Sequence, residues 1–176
     1  MRNTAVIYGT KHGTTKRYAE WISEEIGADL FSYEDIAAKK IGSYKNIIFG
    51  GGLYAGGILG VKKVKKNLPE NLIVFTVGLA DPNENDYSPI LNKNFTSEQL
   101  ERIKVFHLRG GIDYSELSFL HRVMMSFVKK SVVKTPEEKR TSEDVALLET
   151  YGQKVCFVDR ETIQPIIDYY RNHMGE

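Results

Sequence analysis

The chain has 176 residues, enough for a substantial core in one domain. A net charge of +1 excludes the strongly basic balance of a dedicated nucleic-acid binder. The lone cysteine, Cys156, excludes an internal disulfide and a multi-thiolate metal site, and fits a reducing, cytoplasmic setting.

The N-terminus, MRNTAVIYG, has no long apolar core followed by a small-residue cleavage site, so no signal peptide is read. Residues 4–8 (TAVIY) form a short, apolar, β-branched run and predict a buried strand. A helix is expected over 15–27, with Thr15, Tyr18, Ala19, Ile22 and Ile26 on one face and Gly27 at its end. Residues 28–33 are a second strand and 46–51 (NIIFGG) a third. The uncharged stretch from Asn46 to Val61 is shorter than the ~20 apolar residues a membrane span needs. It also holds six glycines, which a helix tolerates poorly. It therefore predicts a buried strand that opens into a glycine-rich loop.

A short helix is expected from Ile58 to Leu68, before Pro69, and a fourth strand from Leu72 to Gly78. Residues 80–94 are polar and predict a loop. Ser97 to Arg102 predict a short helix, and Lys104 to Leu108 a fifth strand. Tyr114 to Lys134 predict an extra helix, 135–150 are charged, and Arg160 to His173 predict a closing helix. There is no internal repeat and no domain boundary, so residues 1–176 are expected to form one domain with an added amphipathic helical segment over 114–134. Strands that alternate with helices imply a doubly wound parallel sheet covered on both faces, with a ligand beyond the carboxyl ends of the strands.

The first such end leads into Gly9-Thr10-Lys11-His12-Gly13-Thr14-Thr15 and straight on into a helix. Amides at a helix N-terminus and its dipole suit an anion, the threonines add hydroxyl donors, and the glycines let the backbone approach. A threonine-capped helix start is the plainer reading of the same residues. The spacing fits neither a P-loop nor the dinucleotide pattern G-x-G-x-x-G. The second glycine comes one position early for the former, and residue 11 is Lys where the latter needs Gly.

The stretch Val6, Ile7, Tyr8, Gly9, Thr10, Lys11-His12, Gly13, Thr14, Thr15, then Ala19 and Ile22, resembles the flavodoxin signature at every fixed position. The resemblance implies a flavodoxin-like fold with five parallel strands in the order 2-1-3-4-5. It also implies FMN as cofactor, its phosphate wrapped by Thr10, Lys11, His12, Gly13, Thr14 and Thr15. Lys11 and His12 depart from the neutral donors usual in the family. Two further loops are implied for the flavin ring. One is Gly51, Gly52, Leu53, Tyr54, Ala55 and Gly56, with Tyr54 as the stacking residue. The other is Gly78, Leu79, Ala80 and Asp81, where the family often has an aromatic side chain and this chain has none; Tyr87 is a distant substitute. A ring open on that side suits a bound substrate.

Two redox readings follow, with a third of another class. A diffusing electron carrier docks on a redox partner protein, and such flavodoxins are usually very acidic; this chain is near neutral and carries KKVKK at 62–66. A flavin enzyme is the second. Residues 109–130, with Gly110-Gly111, Asp113-Tyr114, Phe119, Arg122 and Met124-Met125, resemble the corresponding segment of flavodoxin-type protoporphyrinogen oxidases. That resemblance implies a porphyrinogen or a quinone as partner. A flavin-free binding module is the third reading, and the complete phosphate loop argues against it. The flavin carries the redox chemistry itself; His107, His121 and His173 are scattered, and no acid–base residue stands out.

Between 114 and 134 the apolar residues cover well over half of a helical wheel, too much for one packing face. The excess predicts burial in the domain's own core or in a homodimer. Alternatively it predicts contact with a lipophilic partner, such as a membrane's inner face, with Arg122, Lys129, Lys130 and Lys134 toward anionic groups.

Overall fold

The computed structural model describes residues 3–54, 56–66 and 68–175. The chain begins with β1 (Thr4–Gly9), α1 (Thr14–Ile26), β2 (Asp29–Ser32), α2 (Ala38–Ile41), β3 (Asn46–Tyr54), β4 (Gly57–Ile58) and α3 (Val61–Lys65). It continues with β5 (Asn71–Gly78), α4 (Ser88–Asn94), α5 (Ser97–Arg102), β6 (Ile103–Arg109), β7 (Gly111–Asp113) and α6 (Phe119–Lys134). It closes with α7 (Ser142–Thr150), β8 (Lys154–Cys156) and α8 (Gln164–His173). Short 3-10 turns lie at Glu137–Lys139 and Arg160–Ile163.

Five strands make one parallel sheet in the order β2-β1-β3-β5-β6. Counted alone, these five run 2-1-3-4-5, the doubly wound order that places a ligand beyond the carboxyl ends at the switch point. β4 folds back antiparallel on the end of β3.

The apolar runs of the strands follow from burial on both faces. Ala5, Ile7, Ile47, Phe49, Leu72 and Val74 pack with Ile36, Ile41, Val61 and Val64 on one side. Val6, Ile48, Ile73, Phe75 and Val77 pack with Tyr18, Ala19 and Ile22 of α1 and Ile166 and Ile167 of α8 on the other. Packing also accounts for one glycine of the glycine-rich stretch. Gly50 pairs with Phe75 across β3 and β5, and a side chain on Gly50 would collide with the Phe75 ring.

Several expected elements differ in extent. The helix expected over 58–68 is reduced to α3, because Gly60 takes a φ of 84° and starts the helix only after itself. The expected loop at 80–94 contains α4, with proline in its first turn. The helix expected from Tyr114 starts at Phe119, where the Ser118 hydroxyl accepts from the His121 amide. The charged stretch holds α7. Beyond the expected elements, β7 and β8 pair as an antiparallel ribbon. At three residues each they are too short to display a period.

The ribbon, α6 and α7 enclose a third apolar cluster of Ile112, Tyr114, Leu117 and Met125, against which Tyr54, Leu79 and Leu147 pack. Tyr54 ends β3 and Leu79 follows β5, so this cluster roofs the carboxyl edge of the sheet. Among the described residues no helix is long and apolar enough to cross a membrane.

Candidate functional site

A cleft of about 420 Å³ opens at that edge, between the loops after β1, β3 and β5 and the roof above them. Its volume falls within the range usual for small-molecule sites.

The loop after β1 forms one end. Gly13 precedes α1 with a φ of 82°, a conformation that glycine adopts without strain. Its amide donates to Thr10 Oγ1 at 2.9 Å, which folds the loop into a tight turn. The first amides of α1 point past this turn and have no acceptor within the helix. Thr10, Lys11, His12, Thr14 and Thr15 all line the cleft. Thr15 is buried, its hydroxyl against Gly52. Much of His12 is exposed, yet the partial burial of its ring lowers its pKa, helped by the nearby His121 and Lys11. The α1 helix is itself pinned to the sheet: Tyr18 Oη donates to the Arg109 carbonyl at 2.7 Å and accepts from the Asp159 amide at 3.1 Å.

The loops after β3 and β5 form the other end. Gly52, Leu53, Tyr54 and Gly56 line the cleft from one side, Gly78 and Leu79 from the other. The Tyr54 ring lies 5.2 Å from Lys11 Nζ, and its hydroxyl 4.0 Å from Met124 Sδ. The first and second loops therefore meet beneath α6.

Four residues named from the sequence lie off the cleft wall. Gly13 shapes the turn behind it. Gly51 is inside β3, where a side chain would collide with Ile58. Ala80 is buried, and Asp81 is directed away to Arg109 at 3.9 Å. Ala55 lies outside the described residues.

Of the far wall, the sequence pointed to Tyr87, as a distant substitute for the missing aromatic residue. Tyr87 lines that wall, stacked flat on His107 with 3.6 Å between ring centroids and 5° between planes. The Tyr87 hydroxyl is buried, and that burial raises its pKa. His107 bonds Thr76 Oγ1 at 2.6 Å through Nδ1, and burial pushes its pKa down to about 4. Met125, Val128 and Leu147 supply apolar cover from α6 and α7. Glu143, at the start of α7, accepts from the amides of Leu79 and Ala80. Its signal was present in the sequence. Thr141 and Asp144 form a capping box, the pattern of a helix start, inside a stretch that reads as merely charged.

The donor set suits a phosphate at one end, and the apolar and aromatic walls suit a flat ring at the other. The flavodoxin domain profile matches residues 5–139, which span β1 through α6. The chain belongs to the flavodoxin family. FMN is accordingly its cofactor, and the residues in place fit that group. No curated protein matches the chain.

Among solved structures, an archaeal flavodoxin is similar at 20% identity and a TM-score of 0.44, over 60% of this chain and 82% of its own. Oxidised flavodoxin 1 from Bacillus cereus is similar at 15% identity and 0.45, over 72% and 97%. A flavoprotein in complex with FMN from Lactobacillus acidophilus NCFM is similar at 18% identity and 0.39, over 60% and 91%. At these low scores the family assignment rests on the domain match.

Proposed function

We propose that this flavodoxin-family chain is an FMN-dependent oxidoreductase acting on a lipophilic redox substrate of the porphyrinogen or quinone class. The roof carries the reading. Beyond the five-stranded sheet, residues 111–150 add a second wall of Ile112, Met125, Val128 and Leu147 to the ring end of the cleft. A protein that only passes electrons through an exposed ring edge has no need of such a wall, whereas a bound apolar substrate does. The resemblance of 109–130 to the flavodoxin-type protoporphyrinogen oxidases supports the same class.

Bound FMN supplies the electron transfer. The chain's own residues hold and shield it. Thr10, Thr14, Thr15 and the first amides of α1 bind phosphate, and Tyr54 and Leu79 cover the ring. The exposed face of α6 is the surface that meets the lipid phase from which such a substrate comes.

The test is an anaerobic assay of the FMN-loaded protein against a porphyrinogen, a quinone and a nicotinamide donor. Turnover of the porphyrinogen or quinone is expected. Reduction and reoxidation only by another redox protein favours the second reading, an electron carrier.

A further inference from the structure

Glu143 lines the cleft, and the FMN reading leaves it unexplained. Glu143 lies in α7, beyond the residues matched by the flavodoxin domain. Its carboxylate accepts from the Leu79 amide through Oε2 and from the Ala80 amide through Oε1, each at 3.1 Å. It lies so close to the Gly78 backbone that any side chain at Gly78 would collide with it. The Leu79 amide stands on the cleft wall directly beyond the carboxyl end of β5, and the Ala80 amide lies next to it, off the wall and reached through Glu143, which does line the cleft. A flavin ring has carbonyl oxygens on its polar edge, and paired backbone amides are the donors such an edge needs. An N–H aligns well with one acceptor at a time. The carboxylate and the ring edge therefore compete for the same pair.

We propose that Glu143 is a latch on the cofactor site: in the cofactor-free chain its carboxylate occupies the Leu79 and Ala80 amides, and it yields them to the ring edge when FMN enters. The proposal rests on the FMN reading of this cleft. The loop does not depend on the latch for its shape. Arg109 Nε donates to the Leu79 carbonyl at 2.9 Å, and the Gly110 amide donates to the Gly78 carbonyl at 2.6 Å. Nor is the latch held hard. Burial raises the pKa of Glu143, the neighbouring Asp144 adds to that, and the two amides with Arg109 pull it back. A carboxylate in that position regains hydration on leaving, which offsets the two bonds it gives up.

Apo wild type, Glu143→Ala and Glu143→Gln are titrated with FMN by flavin fluorescence, and the Leu79 and Ala80 amides are followed by hydrogen exchange. Glu143→Ala is expected to bind about tenfold tighter, the equivalent of one modest hydrogen bond, and Glu143→Gln to fall between. In wild type both amides are protected throughout. In Glu143→Ala they exchange freely until FMN protects them.

If wild type binds FMN and Glu143→Ala binds equally or more weakly, Glu143 only braces the loop; the latch is wrong and the FMN reading stands. If neither protein binds FMN, both fall together. A measurement on wild type alone covers the case where the variants do not fold. The carboxyl carbon resonance of Glu143 should move to that of a solvated carboxylate on FMN addition, and an unmoved resonance overturns the latch.

Discussion

At the scale of single residues, Thr10 has two tasks that one hydroxyl can meet together. It accepts from the Gly13 amide and keeps its own proton to donate, since a hydroxyl offers one donor and two acceptor sites. Replacing Thr10 and Thr15 together with Ala should therefore both loosen the turn and remove donors to a phosphate. Hydrogen bonds to charged groups are worth roughly 1.5–3 kcal/mol each, so FMN affinity is expected to fall about tenfold or more per bond. Unchanged affinity in a titration would put the phosphate elsewhere. His107 gives a second expectation. Burial holds its folded pKa down to about 4, against an ordinary value near 6.5. Between those two values the unfolded chain binds the proton and the folded chain does not. Stability is therefore fully present above pH ~6.5, is lost as pH falls toward 4, and changes no further below that on account of this group. After allowance for partial exposure the loss is about 1–2 kcal/mol. Thermal melts across this range should show it, and His107→Gln should flatten the profile. An identical slope in that variant would assign the effect to other groups.

At the scale of elements, α6 divides into two faces that the sequence could not separate. Met125 and Val132 are buried, while Phe119, Leu120, Phe127 and Val133 are 84%, 67%, 65% and 54% exposed. The residues of the second group recur at helical spacing with Lys130 and Lys134 among them, so apolar and cationic groups share one outward strip. Lys129 does not belong to it, because its Nζ lies 4.1 Å from the Tyr151 ring on the inner side. Apolar side chains with interspersed cations fit an anionic lipid surface. Co-sedimentation with anionic vesicles is expected for wild type, and a marked loss for Phe127→Ser and for Lys130→Glu/Lys134→Glu. Equal partition of all three proteins, or none by wild type, would turn this strip toward a protein partner instead. The five main strands were readable because burial on both faces writes long apolar runs, and α1 because one face is strictly periodic. The β7–β8 ribbon was not, since short pieces held mainly by tertiary contacts leave little local pattern, and α7 announced only its start, through the Thr141–Asp144 capping box inside a charged stretch. Consequently the phosphate and ring loops were legible, whereas Glu143 and the Met125–Leu147 wall entered the site only through the fold.

At the scale of the whole molecule, the two layers that cover the sheet are complete without the cleft. Neither Thr10, Tyr54 nor Leu79 belongs to the buried residues of those two clusters; Tyr54 and Leu79 pack instead against the third, which forms the roof. The cofactor-free chain is therefore expected to fold and melt cooperatively, with FMN adding stability by mass action and not by completing the core. At free FMN one hundred times its Kd, the added stability is about 2.7 kcal/mol. For a chain of this length each kcal/mol moves Tm by roughly 2–4 °C. Saturating FMN should accordingly raise Tm by about 5–11 °C, measured by circular dichroism. FAD should do less, because its second phosphate and adenosine must extend beyond a loop shaped for a single terminal phosphate. The comparison separates this site from nonspecific flavin stacking. An equal rise with FMN, FAD and riboflavin would mean that the ring alone is held and that the Thr10–Thr15 loop contributes nothing. A rise confined to FMN, and abolished in the Thr10→Ala/Thr15→Ala protein, would tie the stabilisation to the junction of β1 and α1.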